Sequence, residues 1–177
     1  MILLETTDFD AGEYAIAQTN ETTALLQTYI DKYEAPYIKR ILGDELGLLF
    51  IEDIQGEDSD SEAVAARMIA IRDAFFIQED SGCVHESEGM KEVLKAIVFY
   101  FFVSKTQVKH SQSGVITNAA EVSNIAQPEN ATRFAETKFN GALSSIEAIQ
   151  WYCGTEESAT YPEYEGTYIR PRYSNLL

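Results

Sequence analysis

The most apolar stretch of this chain runs from Ala96 to Val103, where the hydroxyl of Tyr100 is the only polar side-chain group. A segment without a polar stripe at the helical or the strand period must be buried on all sides. Ser87 can cap a helix here, and acidic residues before the stretch and lysines after it suit the helix dipole. The pattern therefore predicts a core helix from Ser87 to about Lys109. Its apolar part is far shorter than the roughly 20 residues of a membrane span.

A second pattern, with apolar residues at steps of three and four, predicts an amphipathic helix that starts near Thr19 or Asn20. Pro36 lies within this pattern. Because proline removes a backbone donor and clashes with the preceding turn, we expect a kink or break there, with a short second piece that ends at Gly43. The expected buried face comprises Leu26, Ile30, Tyr33, Tyr37 and Ile41.

Two later segments also have helical periodicity. Ser61 is expected to cap the first, and Gly82 to follow its end. The second starts at Pro128 and ends before Gly154, and its regular 4-3 spacing predicts packing along another helix, most simply the core helix. The expected buried positions are Val64, Met68, Ile71 and Phe75 in the first helix, and Ala135, Phe139, Ala142, Ile146, Ile149 and Cys153 in the second.

These elements predict a mainly α fold, a bundle of four to five helices around a buried central helix. The 177 residues are enough for one domain, expected over residues 1–158 and followed by an extended C-terminal tail. Strands are expected only around Val115 and in the N-terminal segment from Ile2 to Thr7, which we interpret as a short strand or an extended arm.

The segment from about 108 to 127 is rich in Ser, Asn, Gln and Thr. Connections this long are uncommon in compact domains and tend to be functional or disordered. One interpretation is a flexible surface loop. The other is an arm or hairpin that orders against a partner through Val115 and Ile116, since the sequence around them favours a strand.

The tail, residues 159–177, has no helical period and holds two of the four prolines of the chain, Pro162 and Pro171. Tyrosine and arginine are residue types that anchor interfaces, and disordered tails are usually poor in aromatic residues. We therefore favour docking on a neighbouring subunit or another protein over disorder. The predicted docking residues are Tyr161, Tyr164, Tyr168, Ile169, Arg170, Arg172, Tyr173, Leu176 and Leu177.

Charge narrows the possible functions. The net charge is -16, and residues 1–62 hold 15 acidic and 3 basic side chains against 14 and 10 in residues 63–177. The basic surface of a nucleic-acid-binding protein is therefore absent from the sequence. An acidic surface repels DNA, which suits either a protein unrelated to nucleic acid or one that lines a conduit through which DNA slides.

No metal or cofactor is expected. The segment from Glu52 to Glu62 carries six carboxylates in eleven residues, and Asp58-x-Asp60-x-Glu62 imitates the start of a calcium loop. The required glycine is replaced by Ala63, and the glutamate of the twelfth position is missing, so a solvated acidic loop is the favoured interpretation.

No catalytic residue is expected either. Cys83-Val84-His85-Glu86 brings a thiol, an imidazole and a carboxylate together, but adjacency in sequence is not evidence of a catalytic pair, and we interpret the segment as a loop. The spacing of Cys83 and Cys153 indicates neither a disulfide framework nor a zinc site, so a reducing compartment is expected.

Several stretches together resemble a family. They are L-L-E-T-T-D-F near the start, Y-I-D-K-Y-E-A-P-Y-I-K-R-I-L-G-D-E-L, G-M-K-E-V-L-K-A-I-V-F-Y-F-F-V, the polar T-Q-V-K-H-S-Q-S-G-V-I-T-N and the last helix. This order resembles tailed-phage head-to-tail connector proteins, in particular the small neck or ring proteins of Bacteroidetes-infecting and crAss-like phages. The resemblance covers most of residues 3–153.

The resemblance implies a helical adaptor of the virion neck, assembled in the host cytoplasm, with no membrane and no catalytic residues. Such adaptors commonly form a ring of twelve copies beneath the portal protein, contact tail or other neck proteins, and let DNA pass without sequence-specific binding. The alternative is a small cytoplasmic helical domain that acts as a regulator or as an enzyme with an unrecognised site. A polar arm and an aromatic tail on a helical core favour the adaptor.

Overall fold

The fold is known from a computed structural model that describes residues 3–17, 19–56, 62–106, 108–111, 114–117 and 128–166. At 62–65, 108–111, 114–117 and 128–130 the description covers the backbone alone. The described chain is mainly helical, as predicted. In order, its elements are α1 (Asn20–Leu42), α2 (Asp44–Gln55), α3 (Glu62–Arg72), β1 (Phe75–Gln78), β2 (Val84–Ser87), α4 (Met90–Thr106), β3 (Val108–Ser111), β4 (Gly114–Thr117) and α5 (Pro128–Trp151).

The predicted core helix is α4. Its side chains at Val93, Leu94, Ala96, Ile97 and Val98 are at most 1% exposed. It packs most extensively along α5 and also against α1, so the predicted central position is confirmed.

The predicted ends of this helix are wrong. The helix starts at Met90, because Gly89 has φ +88° and separates it from β2. Ser87 is the last residue of β2, and its hydroxyl accepts the Gly89 N–H at 3.0 Å. At the other end the helix stops at Thr106, and Lys109 belongs to β3.

Gly89 is also required sterically. A Cβ atom at this position would lie 2.4 Å from the carbonyl oxygen of Arg72, far inside van der Waals contact. The start of α4 therefore passes directly against the end of α3, and only glycine permits this approach.

The predicted break at Pro36 is wrong, because α1 is one helix that continues through this residue. Thr19 caps its start by accepting the Thr22 N–H at 3.2 Å. Pro36 is exposed, as is Lys32, whose carbonyl it cannot bond. Water can satisfy that carbonyl, so the helix accommodates the proline without a break.

The β1–β2 hairpin was not predicted. Its strands are antiparallel, with Phe75 opposite Ser87 and Ile77 opposite His85. Met68 and Ile71 are buried in α3 as expected. Phe75, however, belongs to β1 and not to the predicted helix, and residues 79–83 connect the two strands. Ser61 and the side chain of Val64 lie outside the described residues.

The described N-terminal residues form two short 3-10 turns, Thr6–Phe9 and Gly12–Tyr14, in place of a strand. The buried carboxylate of Glu34 holds this segment on α1, since Oε1 accepts the backbone N–H groups of Leu3 and Leu4 at 2.6 and 2.8 Å. Ile2 lies outside the described residues.

The last helix agrees with its prediction. All six predicted positions of the 4-3 pattern are at most 5% exposed, and the element starts at Pro128. It continues into a π-helical turn at Tyr152–Glu156. Burial raises the pKa of the Cys153 thiol to about 12.

Candidate docking surfaces

Residues 160–164 of the predicted tail contact their own chain. Tyr161 is 2% exposed, and its hydroxyl donates to the backbone carbonyl of Arg67 in α3 at 2.7 Å. Its ring centroid lies 5.8 Å from that of Tyr152. Burial raises the pKa of the Tyr161 phenol. The assignment of Tyr161 to partner docking is therefore wrong, because this side chain belongs to the core of its own chain.

An ion pair fixes the same segment. The guanidinium of Arg67 donates to both oxygens of Glu163, at 2.8 and 3.1 Å, and to the carbonyl of Thr160 at 2.9 Å. The hydrogen bond from Arg67 holds the pKa of Glu163 below its ordinary value. Next to this pair, the half-buried ring of Tyr164 lies against Gly154, where a Cβ would be 2.9 Å from Cε1. The tail thus starts later than position 159, since residues 160–164 are part of the body.

The other predicted tail residues lie outside the described residues, so their docking remains a prediction. They are Tyr168, Ile169, Arg170, Arg172, Tyr173, Leu176 and Leu177. The described chain ends at Gly166, beside a hollow formed by residues 35–44 of α1 and α2, which Glu165 also lines.

The polar arm forms a β-hairpin, one of the two open interpretations. Strands β3 and β4 are antiparallel, and Val115 and Ile116 lie in β4, opposite His110 and Lys109. The main contacts of this hairpin are between its own strands and with α4. The hairpin thus follows directly on the core helix in the chain and contacts it. The contact of Val115 and Ile116 with a partner remains a prediction.

An open groove of about 610 Å3 lies between β2 and α5. We call it the acidic groove. Its walls include Val84, Glu86 and Glu88 on one side and Ser144, Glu147 and Trp151 on the other. None of the described residues that line it is lysine or arginine. Three carboxylates in one cleft, with neither lysine nor arginine among its described lining residues, favour a cationic ligand.

Stacking and hydrogen bonds hold the two walls together. The imidazole of His85 lies parallel to the Trp151 ring, with centroids 3.6 Å apart and planes 2° apart. Its Nε2 is hydrogen-bonded to Oε1 of Glu79 at 3.0 Å. Farther along, the Ser145 hydroxyl accepts the Glu88 N–H at 3.1 Å. The groove is thus a preformed feature of the fold.

Exposed apolar side chains border this groove on the outer face of the β1–β2 hairpin. Phe76 is 63% exposed and Val84 is 50% exposed. Phe76 lies opposite Glu86 across the hairpin, so the apolar surface adjoins the carboxylates. An exposed phenylalanine beside a polar cleft is typical of a protein-binding surface.

Sequence reasoning missed this surface. Cys83-Val84-His85-Glu86 was interpreted as a loop, whereas Val84–Ser87 is strand β2. One signal was present in the sequence: Trp151 lies off the 4-3 pattern of the last helix and is therefore available to another element. In the structure its ring stacks on His85 of the same chain.

Among the described residues, no three His, Cys, Asp or Glu side chains are arranged so that they could hold a metal ion. Asp58 and Asp60 of the acidic segment lie outside them. No helix in the described ranges is long and apolar enough to cross a membrane.

In comparisons with known proteins, no family model, no curated protein and no solved structure matches this chain.

Proposed function

We propose that this chain is a structural protein of the head-to-tail interface of a tailed phage. In this role it assembles into a ring, joins the portal to the tail and lines the channel through which DNA passes. The observation that carries the proposal is the β3–β4 hairpin, which follows the core helix in the chain and contacts α4. Such an arm serves assembly between subunits, since an edge strand can pair with a neighbour.

The sequence resemblance to connector proteins supports the same role. So does the charge, because much of the acidic first third of the chain is at the surface. The exposed carboxylates there include Glu5, Asp10, Glu13, Glu21 and Asp31. If this region faces the channel, it repels phosphate groups and lets the duplex move.

A first experiment tests the arm. The double variant Val115→Asp, Ile116→Asp should keep the far-ultraviolet circular dichroism and melting of the parent but lose assembly in sedimentation velocity. Leu25→Asp, at a 41% exposed site on α1, is a control with the same kind of substitution in the body. Full assembly of the arm variant contradicts the proposed use of the hairpin.

A second experiment tests the channel. The protein should bind duplex DNA weakly even at low salt, because few cationic side chains are available to replace counterions. Nanomolar binding with a steep salt dependence, measured by fluorescence anisotropy, would contradict a channel lining that DNA slides past.

A further inference from the structure

We propose that the acidic groove receives residues 167–177 of a second copy of this chain. The inference rests on the proposed ring, in which the second copy is the neighbouring subunit. It deepens that proposal by naming the two surfaces that meet.

Charge complementarity is the first argument. The walls of the groove present Glu86, Glu88 and Glu147 and, among the described lining residues, no lysine or arginine. Residues 167–177 contain Arg170 and Arg172 and no acidic side chain, in a chain of net charge -16. Arginine in a cleft with carboxylates forms charge-assisted hydrogen bonds, often bidentate.

Spacing is the second argument. Along β2 and just past it, Val84, Glu86 and Glu88 are exposed while His85 and Ser87 are not. Alternate residues of an extended chain point the same way, roughly 6.6 Å apart. The sequence Arg170-Pro171 favours an extended conformation at Arg170, because a residue before proline avoids the helical region. In that conformation the two arginines repeat at the spacing of the two glutamates.

The apolar contacts determine whether the tail runs parallel or antiparallel to β2. In a parallel alignment, Arg170 meets Glu86 and Arg172 meets Glu88. Tyr168 then falls beside Val84, next to the exposed Phe76. In the antiparallel alignment a serine, Ser174, takes that place and leaves the apolar surface without an aromatic partner. The parallel alignment therefore satisfies both the charges and the apolar edge of the groove.

The proposed ring makes a neighbouring copy the occupant. The described chain ends at Gly166, next to Glu165, which lines the hollow beside α1; that hollow shares no lining residue with the acidic groove. One groove and one tail per chain also make a head-to-tail contact that can close a ring.

The binding test uses the single tryptophan of the chain, Trp151, which lies in the groove. A synthetic peptide of residues 167–177 is added to the full-length protein, diluted until it is monomeric. The peptide should change Trp151 fluorescence saturably. Glu86→Gln with Glu88→Gln should weaken binding about tenfold, the combined effect of two partly exposed charge pairs. Both glutamates are exposed, so unchanged melting is expected and checks the fold. A peptide that leaves the fluorescence unchanged overturns the proposal.

A charge swap distinguishes docking of the tail on a neighbouring copy from docking on its own chain. One variant carries Glu86→Arg and Glu88→Arg, and the other Arg170→Glu and Arg172→Glu. Neither should assemble alone, and a mixture of the two should assemble, because each tail then fits the other variant's groove. If mixing restores nothing, or if either variant assembles alone, docking between copies is refuted. A wild-type protein that binds the peptide but never assembles refutes the ring and leaves the groove as the tail-binding site.

Discussion

Replacing Tyr161 tests the finding that the start of the predicted tail belongs to the body. Its ring is 2% exposed, and its hydroxyl donates to the carbonyl of Arg67 at 2.7 Å. A buried aromatic side chain removes 150 Å2 or more from water, worth about 4 kcal/mol at about 25 cal/mol per Å2. Tyr161→Ala should therefore lower the free energy of unfolding by about 3 to 5 kcal/mol, in line with other aromatic-to-alanine changes in cores.

Two matched variants divide this effect. Tyr161→Phe keeps the ring and removes the hydrogen bond, so about 1 kcal/mol should be lost. Deletion of residues 167–177 keeps Tyr161 and the Arg67–Glu163 pair, and should leave the stability close to that of the parent. Urea unfolding followed by far-ultraviolet circular dichroism measures all three. If the free energy of unfolding of Tyr161→Ala is within about 0.5 kcal/mol of the parent value, as for a surface substitution, the packing of this segment on α3 is refuted.

Three further predictions concern single contacts. Glu163→Gln should lower the free energy of unfolding by about 1 kcal/mol at neutral pH. Since Arg67 lowers the folded pKa of Glu163 below 4.5, this difference should disappear as pH falls through that folded pKa, and a pH-independent difference in urea unfolding would contradict it. A thiol reagent should modify exposed Cys83 in the native protein and buried Cys153 only in denaturant, and equal native rates would refute that burial. Pro36→Ala should raise the free energy of unfolding by about 1 to 3 kcal/mol, and with it the melting temperature, because a helix former replaces an exposed proline. A melting temperature below that of the parent would contradict this.

The long helices were predictable because their burial follows the sequence period. The six buried positions of α5 and of the π-helical turn after it, from Ala135 to Cys153, keep the 4-3 spacing along their whole length. The segment from Ala96 to Val103 has no polar face, so only a central position could accommodate it. In both cases the information is local, and tertiary packing reinforces it.

Other features depend on contacts that a local pattern does not show. Phe75 is four residues after Ile71 and so fits the helical period, yet α3 ends at Arg72, where Gly89 packs against the carbonyl oxygen, and Phe75 starts β1. Local sequence alone predicts a break at Pro36. The helix continues because the exposed carbonyl of Lys32 can bind water in place of the missing N–H donor.

The candidate surfaces also divide into features that local sequence shows and features that depend on long-range contacts. Composition identified a tyrosine- and arginine-rich tail, but composition is the same whether Tyr161 packs on its own chain or on a neighbour. The acidic groove required long-range information, since His85 and Trp151 are 66 positions apart in sequence and stack in the structure.

Electron microscopy of the purified full-length protein tests the proposed ring most directly. The account predicts closed rings with a central channel in class averages, and loss of these rings when Glu86 and Glu88 are both changed to arginine. Particles the size of a single chain at every concentration, or rings that survive this double change, would contradict the account.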